Sequence, residues 1–271
     1  MPKSKYMLFK YVTKLCPLSP ATAHFYCSKC LFYLGDKLKE CRPTLCGSKP
    51  NKFFQLSLAE QIKNLFENHN LSDMIEQYTT SRESDATTII SSICDGQEFR
   101  RVHHGGRYDL VLLGHTDGVS VSKSSAMSFW PLEFVICQLD PRYLQFRHVL
   151  IAGVWLDVMK PRFNSYLKPF VQELKDLYHK GIKWTHPRSN TELTSYVSAP
   201  GFCGDAPVRS DLQNILGHGG IHCCNTCEEK KVKLEPGEAT NQTKNPNQNF
   251  LRAQEFSVFG KNPRIFALKK G

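Results

Sequence analysis

No apolar run in this 271-residue sequence approaches the roughly 20 residues that a membrane-spanning helix needs. The longest clear one, Val149 to Leu156, has the length of a strand. The N-terminal lysines are not followed by an apolar segment, so no secretory signal is read. Acidic residues are scarce at the start of the chain: residues 1–56 hold ten Lys and Arg against two Asp and Glu, a net of +8, and the rest nets +2. Such an excess predicts a polyanionic partner, nucleic acid above all. Tyr6, Phe9, Tyr11, Phe25, Tyr26, Phe32 and Tyr33 interleave with these lysines. A solvated segment that serves only solubility is the alternative. An even set of cysteines is also missing. Eleven occur, four of them in two CxxC pairs, which favours metal ligation in a reducing compartment over a disulfide framework. The sequons at Asn70 and Asn241 are then chance matches.

Two cysteine knuckles stand in the basic segment. Cys27-Ser-Lys-Cys30 is the first, and Cys41 and Cys46, with a longer gap, form the second. Four thiolates so spaced can surround one tetrahedral Zn²⁺ and predict a small zinc-ribbon-like module over residues 1–56. A segment this short buries too little apolar surface to fold alone, so the metal would supply the folding energy. Four buried free cysteines are the alternative.

Residues 57–105 read as a helix and a linker. Ser57 and Glu60 form a capping box, and Leu58, Ile62, Leu65 and Phe66 follow at helical spacing over 57–68. The polar stretch Thr79 to Thr88 reads as a loop. A larger domain follows over 106–227. Apolar runs at 108–117, 131–138 and 148–156 predict three strands with short, antiparallel connections. Asn164 to Lys180 carries one apolar helical face, stopped by Gly181 and made awkward by Pro169. A fourth strand is predicted at 194–204. A helix capped by Asp205 follows, with Leu212, Ile215 and Leu216 inward, and then a candidate strand at 220–224. Residues 228–271 read as an irregular tail. The class is therefore α+β or α/β, and the order β-β-β-α-β-α is that of a ribonuclease-H-like core.

Two aspartates end apolar runs in this domain. Asp117 closes Asp109-Leu-Val-Leu-Leu-Gly-His-Thr-Asp117, and Asp205 closes Tyr196-Val-Ser-Ala-Pro-Gly-Phe-Cys-Gly-Asp205. A carboxylate at the tip of a buried strand is poorly placed for packing and well placed to hold a divalent cation. Two such tips suggest polynucleotidyl transfer assisted by metal ions. Each has a plainer reading: Asp117-Gly118 as a hairpin turn, and Asp205 as a helix N-cap before Pro207. Lys123 and Arg209 are candidate phosphate contacts beside the pair. Trp130 reads as core. Cys224 and Cys227 form the second CxxC and need two more ligands, with His218, His222, Cys223 and Cys203 nearby. An unliganded pair is the equal alternative.

These motifs resemble a known family. Thr116-Asp117-Gly118-Val119, Lys123-Ser124-Ser125, Phe129-Trp130-Pro131, Gly204-Asp205-Ala206-Pro207-Val208-Arg209, Gly217-His218 and Cys224-x-x-Cys227 occur in the order seen in eukaryotic DDE transposases. The CACTA-like group, with a CxxC after the second aspartate, is the nearest kind. Ser4-Lys-Tyr-Met-Leu and His24-Phe-Tyr-Cys27-Ser-Lys-Cys30 resemble the cysteine-rich segment before that core. The resemblance spans roughly residues 3–235. It implies Asp117 and Asp205 as catalytic ligands of Mg²⁺ or Mn²⁺, DNA as partner, a homo-oligomer, a nuclear location, and neither a membrane nor a small-molecule substrate. Three departures stand against it. The third acidic residue is not identified, because Glu228, Glu229, Glu235, Glu238 and Glu255 lie on no clear helix. Glu229 replaces a histidine that often follows the CxxC. The sequence also begins as if inside a longer reading frame. The expectation is a truncated or domesticated copy without strand transfer of its own. Two readings from other classes compete: a zinc-stabilised nucleic-acid or protein interaction module without catalysis, and a ribonuclease-like hydrolase.

Overall fold

Strands form where buried and exposed positions alternate, and helices where apolar residues recur every third or fourth position. The computed structural model describes residues 21–37, 46, 48–84, 90, 92–121, 126–143 and 148–213. The first segment gives strands β1 (Thr22–Cys27), β2 (Tyr33–Gly35) and β3 (Pro50–Gln55). Helices α1 (Leu58–Asn68), α2 (Leu71–Ser84) and α3 (Gln97–Val102) follow. Next come strands β4 (Leu110–Thr116), β5 (Val119–Ser120), β6 (Ser128–Ile136) and β7 (Leu150–Asp157). Helices α4 (Phe163–Tyr166) and α5 (Lys168–Lys180) lead to the hairpin β8 (Ile182–Thr185) and β9 (Glu192–Ser195), then β10 (Val197–Cys203) and α6 (Ala206–Leu212).

The architecture is mixed α+β around a mostly antiparallel sheet. Its strand order is β10-β4-β6-β7-β3-β1-β2, and β5 continues along β6. Among the described residues the one parallel pair is β10 with β4. Helices α1, α4, α5 and α6 cover one face. Leu58, Ile62 and Phe66 of α1, Phe170, Leu174 and Leu177 of α5, and Val208 of α6 share one core with Leu110, Leu132, Phe134 and Trp155 of the sheet. Full burial of each large side chain contributes about 1.5–3 kcal/mol. On the other face, Val111 and Cys137 pack with Val102 of α3, but β4 ends there in an exposed His115.

The described residues 21–37 and 48–56 do not stand apart from the sheet. Strand β3 joins the central sheet through Phe54↔Val154 and Gln55↔Gly153. Tyr26 and Phe53 are fully buried, and Tyr26 stacks on Trp155 with ring centroids 3.8 Å apart. The Asp157 carboxylate accepts hydrogen bonds from the Tyr26 hydroxyl and, at 2.7 Å, from the Asn51 amide. A small segment that lacks its own core has thus borrowed the neighbouring one.

Several elements depart from the sequence expectation. Residues 79–84, expected in a loop, belong to α2. Its first half carries Leu71 and Ile75, buried in the main core with Met74 packed against it, while its second half is polar. It is held by contacts distant in sequence: Tyr78 donates to Ser92 Oγ at 3.1 Å, and Arg82 pairs with Asp95. Asn70, at φ 54°, separates it from α1. The expected helix over 164–180 is divided at Leu167, so Pro169 falls in the first turn of α5, where its missing N–H costs nothing. The predicted fourth strand is two strands, β9 and β10. Ile215, Leu216, the candidate strand at 220–224 and the tail 228–271 lie outside the described residues.

The capping box is replaced in part. Ser57 Oγ accepts from the Glu60 N–H at 3.3 Å, as expected. The carboxylate at this helix start is Glu173 of α5, whose Oε1 accepts from the N–H of Leu58 at 2.7 Å and from Ser57 Oγ at 3.0 Å. Its Oε2 accepts from the Gln55 amide at 2.8 Å. Glu173→Ala should therefore cost about 1–3 kcal/mol in urea unfolding, while Glu60→Ala should stay within about 0.5 kcal/mol. Equal losses would return the capping role to Glu60.

Candidate metal and nucleic-acid site

The paired register of two strands sets the site. In β10, Val197 lies opposite Leu110 and Ser198 opposite Val111, but Gly201 lies opposite Leu113 and Cys203 opposite His115. One extra residue is absorbed at Ala199–Pro200. Pro200 has no N–H to give the ladder, so a bulge is the natural accommodation. Carried two residues onward, the register puts Asp205 beside Asp117. Without the bulge, Gly204 would hold that place. Neighbouring strands run about 4.8 Å apart, so the two carboxylates start from adjacent positions at one sheet edge. Both are exposed.

The plainer readings can now be weighed. Thr116 lies opposite Leu132 and Val119 opposite Phe129, the same register on both sides of a gap. Asp117 and Gly118 therefore interrupt a continuing strand and do not form a hairpin turn. The interruption has a cause in β6. The N–H of Cys137 donates to Val111 O, so alternate residues down to position 131 face β4, and Pro131 has no N–H to offer Asp117. Gly118 is needed because Trp130 lies against it: a Cβ there would come within 2.4 Å of the indole. Asp205 is indeed an N-cap, its Oδ1 accepting from the Val208 N–H at 2.8 Å. Asp117 Oδ1 accepts from the Gly118 N–H at 2.7 Å. Each carboxylate thus commits one oxygen locally. The second oxygen of each has no partner among the described residues, and a carboxylate can cap and ligate at once.

His115 and Glu133 were missed by sequence reasoning. They are register partners on β4 and β6, with Nδ1 and Oε2 3.7 Å apart. Their signal is slight: single polar residues at alternate positions in apolar strands. The hydrogen bond to Glu133 raises the His115 pKa, burial opposes it, and the charges of Glu133, Asp117 and Asp205 raise it further. His115 is thus close enough to feel both aspartates. Glu133 is engaged by His115. Asp157 also ends a strand at this edge, but its oxygens serve Tyr26, Asn51 and the Val158 N–H. Arg209 sits one turn into α6, its N–H bonded to Asp205 O at 2.9 Å. Lys123, Cys224 and Cys227 lie outside the described residues.

The other cluster is sulfur. Among the described residues, Cys27, Cys30 and Cys46 form the one set of three potential ligands whose donor atoms lie within 4.8 Å of one another. They can hold a metal ion. Cys46 Sγ is 3.3 Å from both Cys27 Sγ and Cys30 Sγ. Cys41 lies outside the described residues. The knuckle is shaped by a tight turn in which the Leu31 N–H donates to Cys27 O at 2.9 Å with Leu31 at φ 57°. Burial pushes the Cys27 thiol up. Hydrogen bonds from the backbone of Cys30 and Lys29, from Ser48 and from Cys46 outweigh it and draw the pKa to about 6. A thiol so placed is mostly thiolate at neutral pH, the form that ligates metals. Ser48, 3.0 Å from Cys27 Sγ, was not foreseen.

No helix among the described residues is long and apolar enough to cross a membrane. Removing either neighbouring charge should lower the His115 pKa: Asp117→Asn and Asp205→Asn are each expected to shift its NMR titration midpoint down, and an unchanged midpoint would separate that aspartate from His115. Because the folded pKa is raised, the stability tied to His115 is fully present below about pH 6.5 and is lost as pH rises through the folded value. No protein-family model matches this chain, and no curated protein matches it.

Proposed function

We propose that this chain is a DNA-binding protein of transposase descent, with a ribonuclease-H-like core built for metal-dependent strand cleavage and transfer. The observation that carries the proposal is the parallel register of β4 and β10, whose last pair, His115 with Cys203, stands two residues before Asp117 and Asp205. The order β10-β4-β6-β7, three antiparallel strands followed by a helix and a strand parallel to the first, supports the same core. Asp117 and Asp205 are the residues that would hold Mg²⁺ or Mn²⁺, through the oxygens not used locally. Such a cation, when bound, supplies Lewis-acid activation of a phosphodiester. The chain's own part is to fix the two carboxylates by strand pairing and by the Asp205 cap, and to set His115 against Glu133 beside them, 3.7 Å apart. No third carboxylate joins the pair among the described residues, so the proposal is a cation and DNA site with an incomplete catalytic set. The same reading makes the chain nuclear and self-associating.

Cys27, Cys30 and Cys46 fit structural Zn²⁺. Thiolates around one tetrahedral zinc at about 2.3 Å stand about 3.8 Å apart, and the preorganised sulfurs lie at 3.3 Å. The same cluster supports the second reading, a zinc-stabilised interaction module without catalysis. Calorimetric titration of Mn²⁺ into the zinc-loaded protein separates the two. Under the proposal, Asp117→Asn and Asp205→Asn each weaken binding about tenfold or more, with the melting temperature unchanged. Wild-type affinity in both variants, with DNA binding lost only on zinc removal, would leave the interaction module.

A further inference from the structure

Strand directions bring the two clusters to one edge. Strand β7 is antiparallel to β6, as β4 is, and β1 is antiparallel to β3, which is antiparallel to β7. Strands β10, β4, β7 and β1 therefore all point the same way. Their C-terminal tips carry Asp205, Asp117, the loop after Asp157, and the Cys27 knuckle. A cavity of about 290 Å³ confirms the continuity, because Leu31 of the knuckle, Lys160 to Asn164 of the loop, and Asp211 of α6 line it together.

The side chains along this edge are basic and aromatic. Lys29 is exposed on the knuckle, and Phe32 beside it is 54% exposed. Lys160 lies 5.4 Å from the Trp130 ring centroid and pairs with Asp211. Arg162 is exposed and has no acidic partner among the described residues. Lys168 stands 5.6 Å from the Tyr33 ring centroid. Of the acidic groups here, Asp157 is engaged by Tyr26 and Asn51, Asp211 by Lys160, and Asp36 is exposed. Alongside the exposed Asp36, what remains without an acidic partner among the described residues is a row of cations, Lys29, Arg162 and Lys168, leading to a pair of carboxylates. From β4 to β1 is four strand spacings, about 19 Å. At 3.4 Å per nucleotide that is about six nucleotides of one strand.

We infer that this edge is a strand-binding track. Lys29 and Arg162 contact backbone phosphates, Phe32 stacks on a base, and the strand leads from the cysteine knuckle across the 158–164 loop to Asp117 and Asp205. The inference rests on the DNA reading above and names its surface. Sequence reasoning put Lys123 and Arg209 beside the carboxylates. The topology adds the knuckle and the loop after β7, which are remote in sequence from both.

The test is fluorescence anisotropy with labelled 20-nucleotide single-stranded and 20-base-pair DNA of mixed sequence, over a range of salt, on the zinc-loaded chain. Lys29→Gln and Arg162→Gln should each raise Kd severalfold and reduce the slope of log Kd against log salt by about one. Phe32→Ala should weaken the single strand more than the duplex. Arg100→Gln, on α3 at the opposite edge, should bind as wild type. Circular dichroism melts confirm that each variant is folded. Unchanged binding in both Lys29→Gln and Arg162→Gln, while the wild type binds, overturns the track and leaves the DNA reading standing. Failure of the wild type to bind either oligonucleotide overturns both. Equal displacement by polyglutamate overturns the nucleic-acid assignment in favour of an acidic protein.

Discussion

The pairing of β10 alongside β4 is the constraint on which the rest depends. Among the described residues every other neighbour pair in the sheet is antiparallel, so its connections can be short. A parallel neighbour requires a crossover, and α4, α5 and the β8–β9 hairpin supply it. The crossover sets α5 against the sheet, where a Cβ on Gly153 would collide with the Phe170 ring at 2.3 Å. It also brings two strand tips to one edge. Burial of Val197 and Leu110 fixes which face each strand presents, and a slip by one residue would send every side chain to the other face. The bulge at Ala199–Pro200 then sets the register that, carried past Cys203, aligns Asp205 and not Gly204 with Asp117.

The N-terminal segment is tied into the same frame by packing and by one buried polar contact. Phe53 lies edge-on to Tyr166, with centroids 5.2 Å apart, and Tyr166 lies edge-on to Phe170 at 5.4 Å. Burial and the Asp157 carboxylate hold the Tyr26 phenol far above its ordinary pKa, so it remains a hydrogen-bond donor. Tyr26 immediately precedes Cys27. Whatever orders the cysteine cluster is therefore coupled through one residue to the core of the sheet. The cluster and the carboxylate pair lie at one edge of the same sheet, so the described Lys29 shares that edge with the aspartates.

Much of this was legible in the sequence. The apolar runs at 108–117 and 148–156 became β4 and β7 with small shifts, because strands buried on both faces are written as unbroken apolar residues. Helix α1 was plain from Ser57 and four periodic apolar residues. Asp205 as a cap followed from Ala206-Pro207. The second half of helix α2 was not legible, because the Tyr78–Ser92 and Arg82–Asp95 contacts there follow no local pattern, whereas Leu71 and Ile75 anchor the first half in the core. The joining of β1–β3 to the sheet was hidden too, since basic composition argued for a separate module while only tertiary packing shows Tyr26 on Trp155. At the site, Asp117 and Asp205 were visible as carboxylates that interrupt apolar runs. His115 and Glu133 were not, because their meaning comes from register across two strands. Ser48 was missed for the same reason: it acts on Cys27 from 21 residues away.

The central claim is that two carboxylates distant in sequence form one cation site, and paramagnetic relaxation tests it most directly. Traces of Mn²⁺ added to the zinc-loaded, nitrogen-15-labelled protein should broaden the amide signals of Thr116 to Gly118 and of Gly204 and Asp205 together, at the same metal concentration. Broadening around only one aspartate, or around neither, would contradict the account.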